Sequence, residues 1–174
     1  MGKVFWMTGL SGAGKTSLAN GAALRLKSLG YDSLILDGDV MRSGLCSDLG
    51  FSNEDRAENN RRCAEVAKLI AIKTELICLC AFISPLEALR QSVLKIIGKD
   101  KLKIVFVDCS LDTCIARDPK GNYRKVREGI IKEYTGLGAP FEPPLNPDLW
   151  LKTDQETLDQ SVQTLVTFVL QNLK

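Results

Sequence analysis

The chain has 174 residues, enough for one domain with a sizeable core, and its 45% apolar and 25% charged residues suit a soluble globular protein. A net charge of +2 supplies no global field for nucleic acid or a membrane surface, and no apolar run approaches the roughly 20 residues that span a bilayer. Six cysteines without a histidine or a C-x-x-C pair argue against a structural zinc site, and any catalytic base must be Asp, Glu, Lys or water.

Strand and helix alternate along the chain. Val4–Thr8 reads as a first strand so close to the N-terminus that no signal peptide fits ahead of it, so a cytoplasmic chain is expected. A helix from Lys15 to about Leu29 ends at Gly30, and Ser33–Asp37 reads as a second strand. Asn53 is placed as the cap of a long helix to about Lys73, with Ala57, Ala64, Ala67 and Ala71 among its small apolar positions. The near-continuous apolar run Leu76–Ile83 predicts a central parallel strand, and Pro85 suits the first turn of a helix toward Ile97. Ile104–Asp108 is a further buried strand and Leu111–Arg117 a short helix. From about Gln155 a helix places Leu158, Val162, Leu165, Val166, Val169 and Leu173 on one core-facing stripe. The expected fold is therefore α/β, a parallel sheet with helices on both faces, in one domain over 1–174. The cysteines, Cys78, Cys80 and Cys109 among them, read as small buried hydrophobes; Cys46, near the substrate segment, is the one with room to be exposed.

Between the first strand and its helix runs Gly9-Leu10-Ser11-Gly12-Ala13-Gly14-Lys15-Thr16, a complete G-x-x-x-x-G-K-[ST] phosphate-binding loop. Its glycines let backbone N–H groups converge on an anion, and the helix that follows adds the positive end of its dipole. Lys15 would reach the terminal phosphates and the Thr16 hydroxyl would ligate Mg²⁺, so a nucleoside triphosphate site is predicted. In such sheets the chemistry lies beyond the strands' carboxyl ends. There the second strand runs into Asp37-Gly38-Asp39, with Arg42 one helical turn on; a carboxylate here can hold Mg²⁺ or take a proton from an attacking hydroxyl. Arg56 and Asn59, at helical spacing near the entrance for a second substrate, suit a phosphate or sulfate dianion. Residues 117–134 hold six basic residues against three acids, and a mobile basic flap of this kind reads as a lid that closes on phosphates.

Several motifs together resemble the adenylyl-sulfate kinase family. They are the loop Gly-Leu-Ser-Gly-Ala-Gly-Lys-Thr, Leu36-Asp-Gly-Asp, Asp48-Leu-Gly-Phe-Ser, Asp55-Arg56 with Asn59 and Arg61-Arg62, Phe82-Ile-Ser-Pro, Arg117-Asp-Pro-Lys-Gly, Tyr134-Thr-Gly and Glu142-Pro143. The resemblance runs in order from Val4 to about Lys152. It implies a three-layer P-loop fold with a basic lid over about 117–140, and phosphoryl transfer from Mg-ATP to the ribose 3′-hydroxyl of adenosine 5′-phosphosulfate. By motif position, Gly9 through Ser17 and Arg117 go with ATP. Asp39 matches the acid that orients or deprotonates the hydroxyl, and Arg42, Arg56 and Asn59 the positions that hold the phosphosulfate. Phe51 and Tyr134 match the aromatic pair around adenine, Ile83 and Ser84 line that pocket, and Lys120 belongs to the lid. In bacterial members the counterpart of Ser84 is described as a phosphoserine intermediate. A serine before proline with no histidine has no evident base, so direct in-line transfer is expected, with Ser84 a pocket wall or a phosphorylation point. A homodimer is the expected assembly.

The chain departs from the family pattern at Val40, at Asn60 where an aliphatic is common, and at Leu86 and Leu89; Arg90 is retained. Two other readings share the loop. A sibling small-molecule kinase would not need the Phe51, Arg56 and Asn59 set. A non-catalytic nucleotide sensor would be expected to have lost Asp39 or Lys15.

Overall fold

The computed structural model describes residues 2–173. Five strands form one all-parallel sheet in the order β2-β3-β1-β4-β7: β1 (Lys3–Thr8), β2 (Ser33–Asp37), β3 (Ile77–Ala81), β4 (Leu102–Asp108) and β7 (Leu149–Lys152). A separate two-stranded ribbon joins β5 (Tyr134–Thr135) and β6 (Gly138–Ala139). The helices are α1 (Lys15–Ser28), α2 (Gly38–Ser43), α3 (Asn53–Lys73), α4 (Glu87–Ile97), α5 (Leu111–Arg117), α6 (Asn122–Arg127) and α7 (Leu158–Gln171). None is long and apolar enough to cross a membrane.

Alternation along β1 divides the core. Phe5 and Met7 point to the face covered by α1 and α7, whereas Val4 and Trp6 point to the face covered by α3 and α4. The first pair of helices approaches closely at Gly21, where an added Cβ would stand 2.7 Å from Val162 Cγ2. On the other face Trp6 stacks on Phe82 with ring centroids 4.6 Å apart, and Ala64, Ala67 and Ala71 let α3 lie close to the sheet. Because the sheet order doubles back at β1, a crevice opens beyond the carboxyl ends of β1, β2 and β3.

The expected α/β architecture is present, with several local corrections. The cap of α3 is Ser52, whose hydroxyl accepts from Asp55 N at 3.1 Å; Asn53 is the first helical residue and Ala57 faces solvent. The central strand spans only Ile77–Ala81, because Phe82 to Pro85 turn into the crevice. Pro85 precedes α4 rather than opening it, with Leu86 as N-cap. The C-terminal helix starts at Leu158, capped by a Thr157–Gln160 capping box, and at this first position Leu158 is 54% exposed instead of joining the core stripe. Cys46 is fully buried with the other five free cysteines.

Candidate active site

The phosphate loop joins β1 to α1, and its backbone is shaped by contacts to its carbonyl oxygens. Lys15 Nζ donates to the carbonyls of Gly9 (2.8 Å) and Leu10 (2.7 Å), and the Tyr123 hydroxyl to that of Ser11 (2.9 Å). Arg117 Nη1 reaches the Gly12 carbonyl at 3.3 Å and Thr153 Oγ1 the Ala13 carbonyl at 2.7 Å. Five consecutive carbonyls are thus occupied; the Gly9 and Ala13 amides bond the Ile83 and Leu10 carbonyls, and the other amides of the loop are left to face an anion. Gly9 is required by close approach, since a Cβ there would stand 2.3 Å from the Val107 carbonyl oxygen; Gly12 is required by its φ of +81°. Burial, and then the charge of Lys120, bring the Lys15 ammonium down from its usual value to about 8.

Two carboxylates stand opposite the loop. Asp37, at the end of β2, caps α2 by accepting from the Asp39 amide at 2.9 Å, and its other oxygen accepts from Thr16 Oγ1 at 2.7 Å. Asp39, in the first turn of α2, is exposed and paired with Lys120 from the basic segment. Of the two acids named from sequence, Asp37 thus organises the strand end and Asp39 is an exposed carboxylate paired with Lys120.

Beyond Asp39, α2 and α3 form the far wall. The Arg42 guanidinium lies 4.4 Å from the Phe51 ring centroid and donates to the Gly50 carbonyl at 2.8 Å. Arg56 bridges from α3 to β5, donating from Nε to the Phe51 carbonyl (2.9 Å) and from Nη1 to the buried Thr135 hydroxyl (2.5 Å). Asn59 is buried and its Oδ1 is the single buried side-chain nitrogen or oxygen without a hydrogen-bond partner among the described residues. Tyr134 meets Tyr123 edge-on at 5.2 Å, and its hydroxyl accepts from Asn122 Nδ2 at 3.1 Å.

Ser84 closes the floor. It is 2% exposed with a φ of +41°, a left-handed conformation uncommon for a residue with a Cβ. Trp6 Nε1 donates to its hydroxyl at 2.9 Å, and the hydroxyl donates to Asn60 Oδ1 at 2.6 Å. One cleft of about 980 Å³ runs from the phosphate loop past Asp39 and Ser84 to Phe51 and Tyr134.

The comparisons with known proteins agree with this layout. Residues 1–152 match the family model described as Adenylylsulphate kinase. The chain belongs to the adenylylsulphate kinase family. It is 47% identical over 166 residues to the adenylyl-sulfate kinase of Marinobacter nauticus, covering 95% of this chain and 83% of that one. It is 50% identical over 159 residues to the adenylyl-sulfate kinase of Vibrio cholerae, covering 91% and 74%. The structure superposes on the Mycobacterium tuberculosis APS kinase solved in complex with AMPPNP and APS with a TM-score of 0.92 and 42% identity, over 97% of this chain and 98% of that one. The protein is accordingly an enzyme, a kinase with the P-loop fold.

Within this kinase, the sequence-derived residues from Gly12 to Ser17, together with Ser11, Asp39, Arg42, Phe51, Arg56, Asn59, Ile83, Ser84, Arg117, Lys120 and Tyr134, all border the cleft. Gly9 and Leu10 lie behind it, as the carbonyls that hold Lys15. Sequence reading missed the supports: Tyr123 and Thr153 behind the loop, and Trp6, Asn60 and Arg90 around Ser84. Of these only Asn60 and Arg90 gave a signal, one as a departure from the family pattern and the other as a retained position.

Proposed function

We propose that this kinase transfers the γ-phosphoryl group of ATP to the ribose 3′-hydroxyl of adenosine 5′-phosphosulfate, giving 3′-phosphoadenosine 5′-phosphosulfate and ADP. The observation that carries the reading is the two-ended cleft. A phosphate loop occupies one end, an Arg42–Phe51–Arg56–Asn59 wall the other, and Asp39 stands between them. A stacked arginine, a second arginine and an amide with an unused acceptor suit an adenine-bearing sulfated anion better than a sugar acid or an amine.

In this reading the P-loop amides and Lys15 hold the β- and γ-phosphates, and the segment 117–140 is the lid. Arg117 sits at the ATP end, anchored to the Gly12 and Thr153 carbonyls. Thr16 Oγ1 and Asp37 Oδ2 offer the neighbouring hard oxygens that fit Mg²⁺, an ion held by few protein ligands together with phosphate and water. Bound there, Mg²⁺ would supply charge neutralisation across the β- and γ-phosphates. Lys120 pairs with Asp39 in this structure. Phosphate oxygens would compete for that ammonium and leave the Asp39 carboxylate facing the 3′-hydroxyl, whose proton it accepts as the new O–P bond forms in line with departing ADP. A coupled assay tests the reading: ADP release should require adenosine 5′-phosphosulfate and remain silent with AMP. Equal rates with both acceptors, or with neither, would contradict it.

Ser84 gives no support to a phosphoenzyme route. Its hydroxyl is committed to Asn60 and Trp6 and is shut away from solvent. Ser84→Ala should therefore keep kcat within about tenfold of the parent, because no covalent step is lost. It should also unfold more readily, since two buried polar groups lose their partner at a cost of about 1–3 kcal/mol. Initial rates and a thermal melt measure both; abolished turnover in a folded variant would overturn direct transfer.

Nucleotide binding should also take up a proton. Lys15 stands at about 8 in the empty cleft, and a triphosphate against it favours the charged form and raises that value. Above about pH 8 the free protein has lost the Lys15 proton and must regain it, so affinity weakens as pH rises. Below about pH 7 Lys15 is charged in both states and the uptake vanishes. Calorimetry with AMPPNP in buffers of different ionisation enthalpy reads this directly; a proton count that does not change with pH would count against a depressed Lys15.

A further inference from the structure

The substrate end of the cleft is enclosed by a circuit of hydrogen bonds and backbone that meets the phosphate loop only at its start, where the Gly9 amide reaches the Ile83 carbonyl at 3.4 Å. From α3, Asn60 Nδ2 donates to the Arg56 carbonyl at 2.8 Å while Asn60 Oδ1 accepts from Ser84 Oγ at 2.6 Å. From the Ser84 turn, the carbonyl accepts from Arg90 Nη1 at 2.8 Å. Arg90 is 2% exposed and donates from Nη2 to the Glu142 carbonyl at 2.7 Å, while Glu87 neutralises it. The Glu142 side chain then accepts from the Glu87 amide at 2.7 Å, serving as a remote cap for α4. The chain running back from Glu142 reaches Thr135, which is gripped by Arg56. The circuit thus joins α3, the Ser84 turn, α4 and the end of the basic segment, and Trp6 ties it to the central strand.

We propose that Asn60 is a positioning residue: acting through the Ser84 hydroxyl, it holds the α3 face that carries Arg56 and Asn59 in register with the Ile83–Ser84 wall. Three observations carry this. Asn60 is buried, with both ends of its amide in use. The residue that donates to its Oδ1, Ser84, is in a left-handed conformation, which persists only when surrounding groups over-determine it. The bond connects elements 24 residues apart that face each other across the cleft. An aliphatic side chain at position 60 cannot accept a hydrogen bond, so this tie is a feature of this chain rather than of the loop motif. The inference rests on the reading of this end as the phosphosulfate site, and the test separates the two.

Asn60→Leu, Ser84→Ala and the double variant are compared for adenosine 5′-phosphosulfate affinity, AMPPNP affinity and hydrogen exchange. Asn60→Leu should weaken adenosine 5′-phosphosulfate about tenfold and leave AMPPNP within about twofold, and in the Ser84→Ala background it should add less than about twofold. A merely destabilising change would lower both affinities together, and independent effects would multiply; either result overturns the proposal. Exchange is read at the Phe82 amide, which bonds the Met7 carbonyl, and at the Glu142 amide, which bonds the Pro85 carbonyl. It should quicken in Asn60→Leu at these two sites and not in the phosphate loop beyond Gly9, whose amide bonds the Ile83 carbonyl; unchanged rates would refute the tie. This second readout holds even if the parent protein binds no adenosine 5′-phosphosulfate, an outcome that would sink the functional reading alone.

Discussion

Asp39→Ala is expected to lower kcat about 10³-fold while changing the KM for ATP little, the size of effect typical of losing a positioned general base. Asp39 is exposed at the first turn of α2, and its backbone amide is already secured by Asp37, so removing its side chain should leave the helix start intact. The chain contains no histidine, and the other carboxylate at this strand end, Asp37, is occupied by Thr16 and the Asp39 amide. No second carboxylate at this strand end is therefore free to substitute. Asp39→Asn supplies the contrast. It keeps the shape and loses the base, so its kcat should fall nearly as far, whereas a purely structural role would be rescued. Steady-state rates for both variants decide; a loss of less than about tenfold would move the base elsewhere.

Lys15→Met should be as severe in activity and opposite in stability. One preorganised cation at a transferring phosphoryl group is worth about 10²–10³ in rate, and the nearby Lys120 and Arg117 are held elsewhere, by Asp39 and by the Gly12 and Thr153 carbonyls. The same burial that brings Lys15 to about 8 means that the empty protein carries a penalty for keeping it charged. The sign follows from the two pKa values: the unfolded lysine near its ordinary value holds the proton to higher pH than the folded one. Stability of the parent should therefore climb as pH rises from about 8 to about 10.5, by roughly 3 kcal/mol if Lys15 acted alone. In Lys15→Met that climb should shrink, and the melting temperature at neutral pH should equal or exceed the parent's, although the Gly9 and Leu10 carbonyls lose a donor. Denaturant melts across pH test the point. A variant that is both inactive and much less stable would indicate that Lys15 is there chiefly to brace the loop.

These predictions separate what short-range sequence reveals from what it conceals. The phosphate loop, the Asp37–Asp39 strand end and the run of α3 are legible because the determinants sit within a few residues of one another: glycine spacing, two acids closing a strand, small apolar residues at helical spacing; only the cap of α3 falls one residue earlier, at Ser52 instead of Asn53. The fifth strand, Leu149–Lys152, was not anticipated because it is four residues long, lies at the sheet edge and exposes Trp150 by 55%. Leu158 was misassigned because periodicity continues past a helix end, whereas the capping box that starts the helix is set by Thr157 and Gln160. The supports of the site were hidden for a different reason. Trp6 and Ser84 are 78 residues apart, and Tyr123 and Ser11 are 112 apart, so neither pairing leaves a local pattern. The bonds from Trp6 and to Asn60 fix the Ser84 hydroxyl in place.

The most direct test of the central claim is the identity of the product formed from Mg-ATP and adenosine 5′-phosphosulfate by the purified chain, read by phosphorus NMR and mass spectrometry. The account predicts a new phosphomonoester on the ribose 3′-oxygen, one ADP released per product, an intact phosphosulfate and about 10³-fold slower formation of the same product by Asp39→Ala. A phosphoryl group on another oxygen, or ATP bound without transfer, would contradict it.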